Sequence, residues 1–206
     1  AIRELLRQGA EAETIAMRFE RAISAGVKRL EGPEGARTAI ALAQTALRVL
    51  GNVKIGTLVI EAALEIDGDL EEYATLNADV SALARNPADA SRLLDTIQKA
   101  LAKPYSSIGV SVLAFASKLA AAIGRPKESA VLLLQAIRRD PDVDELVCEA
   151  DSAVHELQDA ELLLAFDQAV SPSRRLEALL QLSEQRERQG REQEVVPLLE
   201  RALLSP

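Results

Sequence analysis

The sequence of 206 residues has little of what several classes of protein depend on. It has no tryptophan and only 2% aromatic residues, so it lacks the stacking platforms used to bind single-stranded nucleic acid. One cysteine excludes an internal disulfide and leaves too few thiols for a structural zinc site. One histidine excludes any mechanism that needs two. We therefore expect neither a metal nor another cofactor.

Positive charge and long hydrophobic runs are scarce as well. The 24 lysines and arginines are outnumbered by 32 acidic residues, and the net charge of -8 argues against a nucleic-acid partner. The longest weakly polar stretch, around residues 112–124, is interrupted by Lys118 and is too short to span a bilayer, so we expect no membrane insertion. Alanine and leucine are abundant instead, which favours helices with a buried core.

The first nine residues resemble the last turns of a helix that ends at Gly9. Because a natural chain rarely begins in the middle of a helix, we expect the sequence to be a fragment of a longer protein. The single cysteine fits a cytoplasmic location, and a periplasmic location stays open.

A short pattern occurs six times along the chain. It consists of a large apolar residue, two mainly polar residues, an alanine and an aliphatic residue. The alanines are Ala22, Ala63, Ala100, Ala136, Ala169 and Ala202. Turn formers precede them at Gly9, Gly51, Asn86-Pro87, Gly124, Gln158-Asp159 and Gly190, and the later units end at Gly68, Pro104, Pro141, Pro172 and Pro206. This order predicts helix, turn, helix and stop in each unit, and units this short must stack to bury their apolar faces.

These units resemble tetratricopeptide repeats, which are pairs of antiparallel helices. Gly124, Leu133, Ala136 and Pro141 match the family order of turn glycine, large residue, alanine and proline. The family's tryptophan, leucine-glycine and tyrosine positions are not kept and the early units are long, so a Sel1-like repeat or another α-solenoid stays open. The resemblance implies an all-α, right-handed α-solenoid of about six helix-turn-helix repeats in a single domain over residues 1–206. Its units are 1–32 (partial), 33–68, 69–104, 105–141, 142–172 and 173–206.

The resemblance also implies a concave groove in which a partner peptide lies along the first helix of each unit. Counting back from the turns gives the expected groove residues, which are Arg48, Asn77, Arg85, Lys118, Asp144, Asp151, His155, Glu177 and Glu184. Residues 140–172 hold ten acidic residues and no lysine or arginine. This region is either a solvated surface or an acidic patch that attracts a basic segment of a partner.

Catalytic patterns are few. Cys148, Asp151 and His155 share one helix face, which could suit a thiol–imidazole pair or a metal, but seven residues of helix span about 10 Å, too far for a direct Cys–His hydrogen bond. The basic pairs Arg138-Arg139 and Arg174-Arg175 are better explained by helix ends or salt bridges than by phosphate binding. We therefore predict that the chain is not an enzyme and has no catalytic residue.

The predicted function is a non-catalytic protein–protein interaction module, or scaffold, that binds a partner polypeptide in its groove. The alternative is a structural subunit of a larger bacterial machine, such as a secretion, pilus or motility apparatus, that packs through its ends or convex face. Exposed repeat ends would also allow a homodimer.

Overall fold

The structure is a computed structural model that describes residues 29–103 and 107–204 and the pairs 17–18, 21–22 and 25–26. Across this part of the chain it has ten α-helices, a nine-residue 3₁₀ segment and no strand. The all-α prediction is therefore confirmed. Five of the expected repeat markers lie outside the described residues. They are Gly9, the first and last residues of the first pattern (Phe19 and Ile23), and the unit ends Pro104 and Pro206.

The chain divides into two compact units, and the first comprises residues 1–124. Its elements are α1 (Gly32–Arg48), α2 (Val53–Ile66), the 3₁₀ segment Glu71–Asp79, α3 (Val80–Leu83), α4 (Pro87–Leu101) and α5 (Val110–Ala122). Helix α1 packs against α2 and the 3₁₀ segment, and α2 packs against α4. Helix α5 packs against the 3₁₀ segment, α3 and α4.

The second unit comprises residues 125–206. Its helices are α6 (Pro126–Arg139), α7 (Asp144–Leu157), α8 (Ala160–Ala169), α9 (Pro172–Arg188) and α10 (Glu192–Leu204). Helix α6 packs against α7 and α8, α7 also packs against α8 and α9, and α9 packs against α10. Helices α6, α7 and α9 therefore each contact the next one or two helices along the chain, whereas α8 packs back against α6 and α7.

Left-handed backbone ends several of the helices. Gly51, Gly124 and Gly190 have φ of 62°, 77° and 70°, and Gln158 has φ of 50°. Glycine adopts this conformation without the steric cost that a Cβ brings, which is why it suits these turns. The turns predicted at these four positions are confirmed.

Side-chain caps and prolines mark the helix starts. The side chains of Asn52, Asp159 and Ser171 accept hydrogen bonds from backbone N–H groups in the first turns of α2, α8 and α9. Proline lies in the first turn of α1, α4, α6 and α9, where its missing N–H costs nothing. Pro172, the last residue of predicted unit 142–172, is thus the first residue of α9.

The start of predicted unit 69–104 differs from a regular helix. A 3₁₀ segment occupies residues 71–79, and only the four residues of α3 follow it. Thr75, Asn77 and Asp79 are weak formers of α-helix. The Thr75 hydroxyl donates to the carbonyl oxygen of Glu72, three residues earlier, over 2.7 Å. The sequence here gives a regular α-helix little support, and a 3₁₀ segment of this length is uncommon.

The six pattern alanines are not equally buried. Ala63, Ala136 and Ala202 are buried, whereas Ala100 and Ala169 are half-buried and Ala22 is exposed. Helix packing therefore covers three of the six pattern alanines fully. Ala100 and Ala169 are the last or second-last residues of their helices, where a neighbouring helix covers less of the surface.

Candidate functional site

In the first unit, Arg48 makes a paired contact with the 3₁₀ segment. Its Nε donates to Asp79 Oδ1 over 2.6 Å and its Nη2 donates to Asp79 Oδ2 over 2.7 Å. Asp79 is 3% exposed, while Arg48 is half-exposed. The hydrogen bonds that Arg48 donates to Asp79 raise the pKa of the Arg48 guanidinium. This expected groove residue therefore holds two elements of the fold together.

The other expected groove residues of this unit lie apart from that pair. The buried Oδ1 atom of Asn77 accepts no hydrogen bond from the described residues. Arg85 is exposed and lines an open recess of about 420 Å³ with Lys54 and the turn around Gly51. Lys118 is half-buried on α5. These three side chains do not form a common site.

In the second unit, four helices enclose a cleft of about 580 Å³. It is lined by Asp151, Ser152, His155 and Glu156 of α7, Leu163 and Asp167 of α8, Arg175 of α9 and Arg201 of α10. Asp151 and His155 are both expected groove residues. We refer to this set of eight residues as the α7–α10 cleft.

The buried carboxylate of Asp151, 1% exposed, forms the floor of the α7–α10 cleft. Arg175 Nε lies 2.6 Å from its Oδ1, and Arg201 Nε donates to its Oδ2 over 2.9 Å. Arg201 Nη2 also donates to the carbonyl oxygen of Cys148 over 2.9 Å. A carboxylate this deeply buried needs such partners, and the cluster ties α7 to α9 and α10.

The neighbouring His155 is held in one tautomer by its contacts. Its Nδ1 lies 2.8 Å from the carbonyl oxygen of Asp151, which can only accept, so Nδ1 carries the proton. Its Nε2 then accepts from Arg175 Nη2, 3.4 Å away. Both ring nitrogens of His155 therefore have hydrogen-bond partners in the cleft.

The rim of the α7–α10 cleft carries negative charge. Glu156 and Asp167 are exposed and form no ion pair with any residue that the structure describes. The lining thus holds three carboxylates and two guanidinium groups, and both guanidinium groups are engaged by Asp151. Any charge available to a ligand at the rim is therefore negative.

The three remaining groove residues lie outside the cleft. Arg174 Nη1 lies 2.7 Å from Asp144 Oδ1, so Asp144 pairs with α9. Glu177 and Glu184 are exposed on α9 and accept from Gln181 and Arg188 of the same helix. They do not join Asp151 and His155.

The acidic region 140–172 is partly neutralised by cations from outside it. The acidic residues with such partners are Asp144, Glu145, Asp151 and Asp159, which pair with Arg174, Arg186, Arg175 and Lys127 respectively. The hydrogen bond from Lys127 lowers the pKa of Asp159. The salt bridges predicted for the Arg174-Arg175 pair are confirmed.

Cys148 contributes to the floor through its backbone only. Its side chain is 3% exposed, and burial raises the pKa of the thiol to about 12. The thiol is therefore protonated at neutral pH, whereas a nucleophile or metal ligand needs the thiolate. Over the described part of the chain, no group of three His, Cys, Asp or Glu side chains is arranged to hold a metal ion.

Sequence reasoning missed Arg201 and the two rim carboxylates as site residues. Arg201 lies 50 residues from Asp151, and no local spacing rule links positions so far apart. The available signal was the abundance of acids over residues 140–172, which includes Glu156 and Asp167.

The sequence matches no known protein-family model, and searches of curated proteins and of solved structures also give no match. Assignment to the tetratricopeptide family stays a prediction. Among the helices that the structure describes, none has the length and apolar character needed to cross a membrane.

Proposed function

We propose that this chain is a non-catalytic module that binds a partner polypeptide, and that the α7–α10 cleft receives a basic side chain of that partner. The observation that carries the proposal is the cleft itself. Two residues expected in a groove, Asp151 and His155, line it together with two rim carboxylates that pair with no described residue. A preformed concave surface with a charged rim suits recognition by shape and charge.

Stacked helical hairpins of the tetratricopeptide type, in a right-handed solenoid, are part of this proposal. Side-chain contacts about one repeat apart in the sequence support them. Arg48 bonds to Asp79, 31 residues away, and Arg92 of α4 bonds to Glu61 of α2, also 31 residues away. In the second unit, Arg174 Nε donates to the carbonyl oxygen of Pro141, 33 residues away. Contacts about one repeat apart are what stacking of successive units would produce.

The proposal does not include catalysis, because the charged groups at the floor of the cleft are engaged in structure. Asp151 is held by two arginines, and His155 hydrogen-bonds at both ring nitrogens. A general base needs a free lone pair within reach of a substrate proton, and a nucleophile needs an activated group. The protonated Cys148 thiol supplies neither.

The test is a selection from a random peptide library displayed on phage, with the full chain immobilised. We expect the selected peptides to be enriched in lysine and arginine. Their affinity, measured by isothermal titration calorimetry, should fall about tenfold or more in the Glu156→Lys/Asp167→Lys variant because the rim charge is reversed.

A matched control separates local recognition from general attraction. The Glu65→Lys/Glu71→Lys variant changes two exposed acids of the first unit, so it has the same net charge as the cleft variant. It should keep most of the wild-type affinity. Equal losses in the two variants, or selected peptides without basic residues, would contradict the proposed site.

A second candidate function is a structural subunit that packs permanently against other proteins. One observation favours it, which is that large apolar side chains are exposed on α9 and α10. Permanent interfaces are usually apolar, whereas reversible peptide grooves are more polar.

A further inference from the structure

The last two helices share an exposed apolar surface that lies outside the α7–α10 cleft. It consists of Leu176 and Leu180 of α9 and Val196, Leu199 and Leu203 of α10, which are between 39% and 85% exposed. We call these five residues the α9–α10 apolar face. Scattered exposed apolar residues are common, but five of them on two helices that pack together are more than scatter, and exposed apolar surface of this kind marks interaction sites.

The internal repeat shows that two positions of the face, Leu199 and Leu203, are mostly buried in the other units. Leu199 and Leu203 are the first and last residues of the six-fold pattern. In the preceding units whose pattern the structure describes, the residues equivalent to Leu199 are Ile60, Ile97, Leu133 and Phe166, and all four are buried. Those equivalent to Leu203 are Leu64, Ile137 and Val170, which are buried, and Leu101, which is half-buried. The α9–α10 apolar face therefore exposes positions that this chain otherwise buries against helices.

The direction of the face follows from helix geometry. Successive residues of an α-helix are rotated by about 100°, so residues two apart point in nearly opposite directions. Leu199 and Leu203 are each two residues from Arg201, which contacts Asp151 of α7. Leu180 is two residues from both Ala178 and Leu182, which are buried. The face therefore points away from α7, and a partner can occupy it while the cleft is filled.

Charge around the face selects the kind of partner. Glu187 lies on the same side of α9 as Leu180, seven residues later, and Glu192 lies on the same side of α10 as Val196, four residues earlier. Both are exposed, and neither forms an ion pair with a described residue. All six arginines of residues 172–204 are paired, and this segment has no lysine. A second copy of the same face would bring no free cation to these carboxylates.

An earlier unit of the repeat shows a basic side chain on the helix that covers the position equivalent to Leu199. Phe166, which is equivalent to Leu199, lies beneath Arg175 of the following helix, whose guanidinium carbon is 5.9 Å from the ring centroid. At this one position, the helix that covers the apolar residue thus brings a basic side chain.

We propose that the α9–α10 apolar face docks an amphipathic helix of a partner protein, with lysine or arginine beside its apolar stripe to meet Glu187 and Glu192. Leucines at helical spacing on that partner would fill the surface between α9 and α10, as in other helix-in-groove complexes. This inference deepens the second candidate function and is independent of the α7–α10 cleft.

The test measures binding of a synthetic amphipathic peptide of leucine and lysine to the full chain by fluorescence anisotropy. A matched peptide with glutamate in place of lysine is the charge control. We expect the lysine peptide to bind, and the Leu199→Ser/Leu203→Ser variant to weaken it about tenfold or more because two apolar anchors are lost. The Glu187→Gln/Glu192→Gln variant should weaken it several-fold.

Two further variants test whether the peptide binds at the α9–α10 apolar face. Leu164→Ser removes an exposed leucine of α8 outside the face and should leave the affinity unchanged. Glu156→Gln/Asp167→Asn should also leave it unchanged, which distinguishes this site from the cleft. Circular dichroism must show unchanged helicity in all variants.

Three outcomes would overturn the proposal. The first is equal affinity for the lysine and glutamate peptides, and the second is full binding by the Leu199→Ser/Leu203→Ser variant. The third is a dimer in sedimentation velocity that is lost in that variant, because a second copy would then be the occupant of the face.

Discussion

At the residue scale, Asp151 is the side chain on which the site depends most. Its carboxylate is nearly inaccessible and forms ion pairs with two arginines that belong to two other helices. The sequence predicted that Asp151 lies on a helix and faces a partner in the groove, whereas its carboxylate is used within the protein. Because its charge is used inside the protein, reversing it would test stability rather than binding.

Replacing this carboxylate should therefore destabilise the fold. We expect Asp151→Asn to lower the free energy of unfolding by about 2–4 kcal/mol, because Arg175 and Arg201 would lose the charge that compensates them. The measurement is urea denaturation followed by circular dichroism. Asp167→Asn, at the exposed rim, should change stability by less than about 0.5 kcal/mol. Equal effects of the two substitutions would contradict the buried ion cluster.

The rim of the α7–α10 cleft shows what the sequence alone does not predict, which is the set of acidic residues that stay without an ion-pair partner. Composition alone identifies an acid-rich region over residues 140–172. Which acids stay free depends on arginines and a lysine that approach from other helices, and those approaches are set by packing. Asp144 and Asp159 are paired, while Glu156 and Asp167 have no such partner among the described residues.

At the element scale, the turns are where sequence and structure agree best. Gly51, Gly124 and Gly190 were expected to end helices, and all three have positive φ. Gln158 fills the same place without the freedom of glycine, and a side chain in left-handed backbone is strained. Local chemistry determines these turns, which is why the sequence alone could locate them.

This difference gives a paired prediction. Gln158→Gly should stabilise the protein by roughly 1 kcal/mol because it relieves the left-handed strain, and Gly124→Ala should destabilise it by a similar amount. A Cβ at Gly124 would meet no atom within 4 Å, so conformational strain alone is tested there. Urea midpoints of both variants provide the measurement. A loss of stability in Gln158→Gly would show that its side chain has a role that the turn does not explain.

The 3₁₀ segment shows the opposite case. The repeat predicted a first helix for unit 69–104, but residues 71–79 wind more tightly. Contacts with α1 fix this segment from outside, through Arg48 to Asp79 and Gln44 to Thr75. Tertiary contacts of this kind override a pattern that is read along the chain.

At the scale of the whole molecule, composition and repeat spacing were sufficient for the all-α class. They did not specify which helix pairs stack, because that depends on side chains far apart in the sequence, such as Arg201 and Asp151. A single domain over residues 1–206 stays a prediction, as does the right-handed solenoid. The functional account rests on the second unit, residues 125–206, where the cleft and the apolar face both lie.

The most direct measurement of the central claim is an NMR titration of the ¹⁵N-labelled full chain with a basic peptide from the library selection. The account predicts that the largest chemical-shift changes fall on Ser152, His155 and Glu156 of α7 and Leu163 and Asp167 of α8. Those changes should disappear in the Glu156→Lys/Asp167→Lys variant. Changes concentrated away from these residues, or unaltered in that variant, would contradict the account.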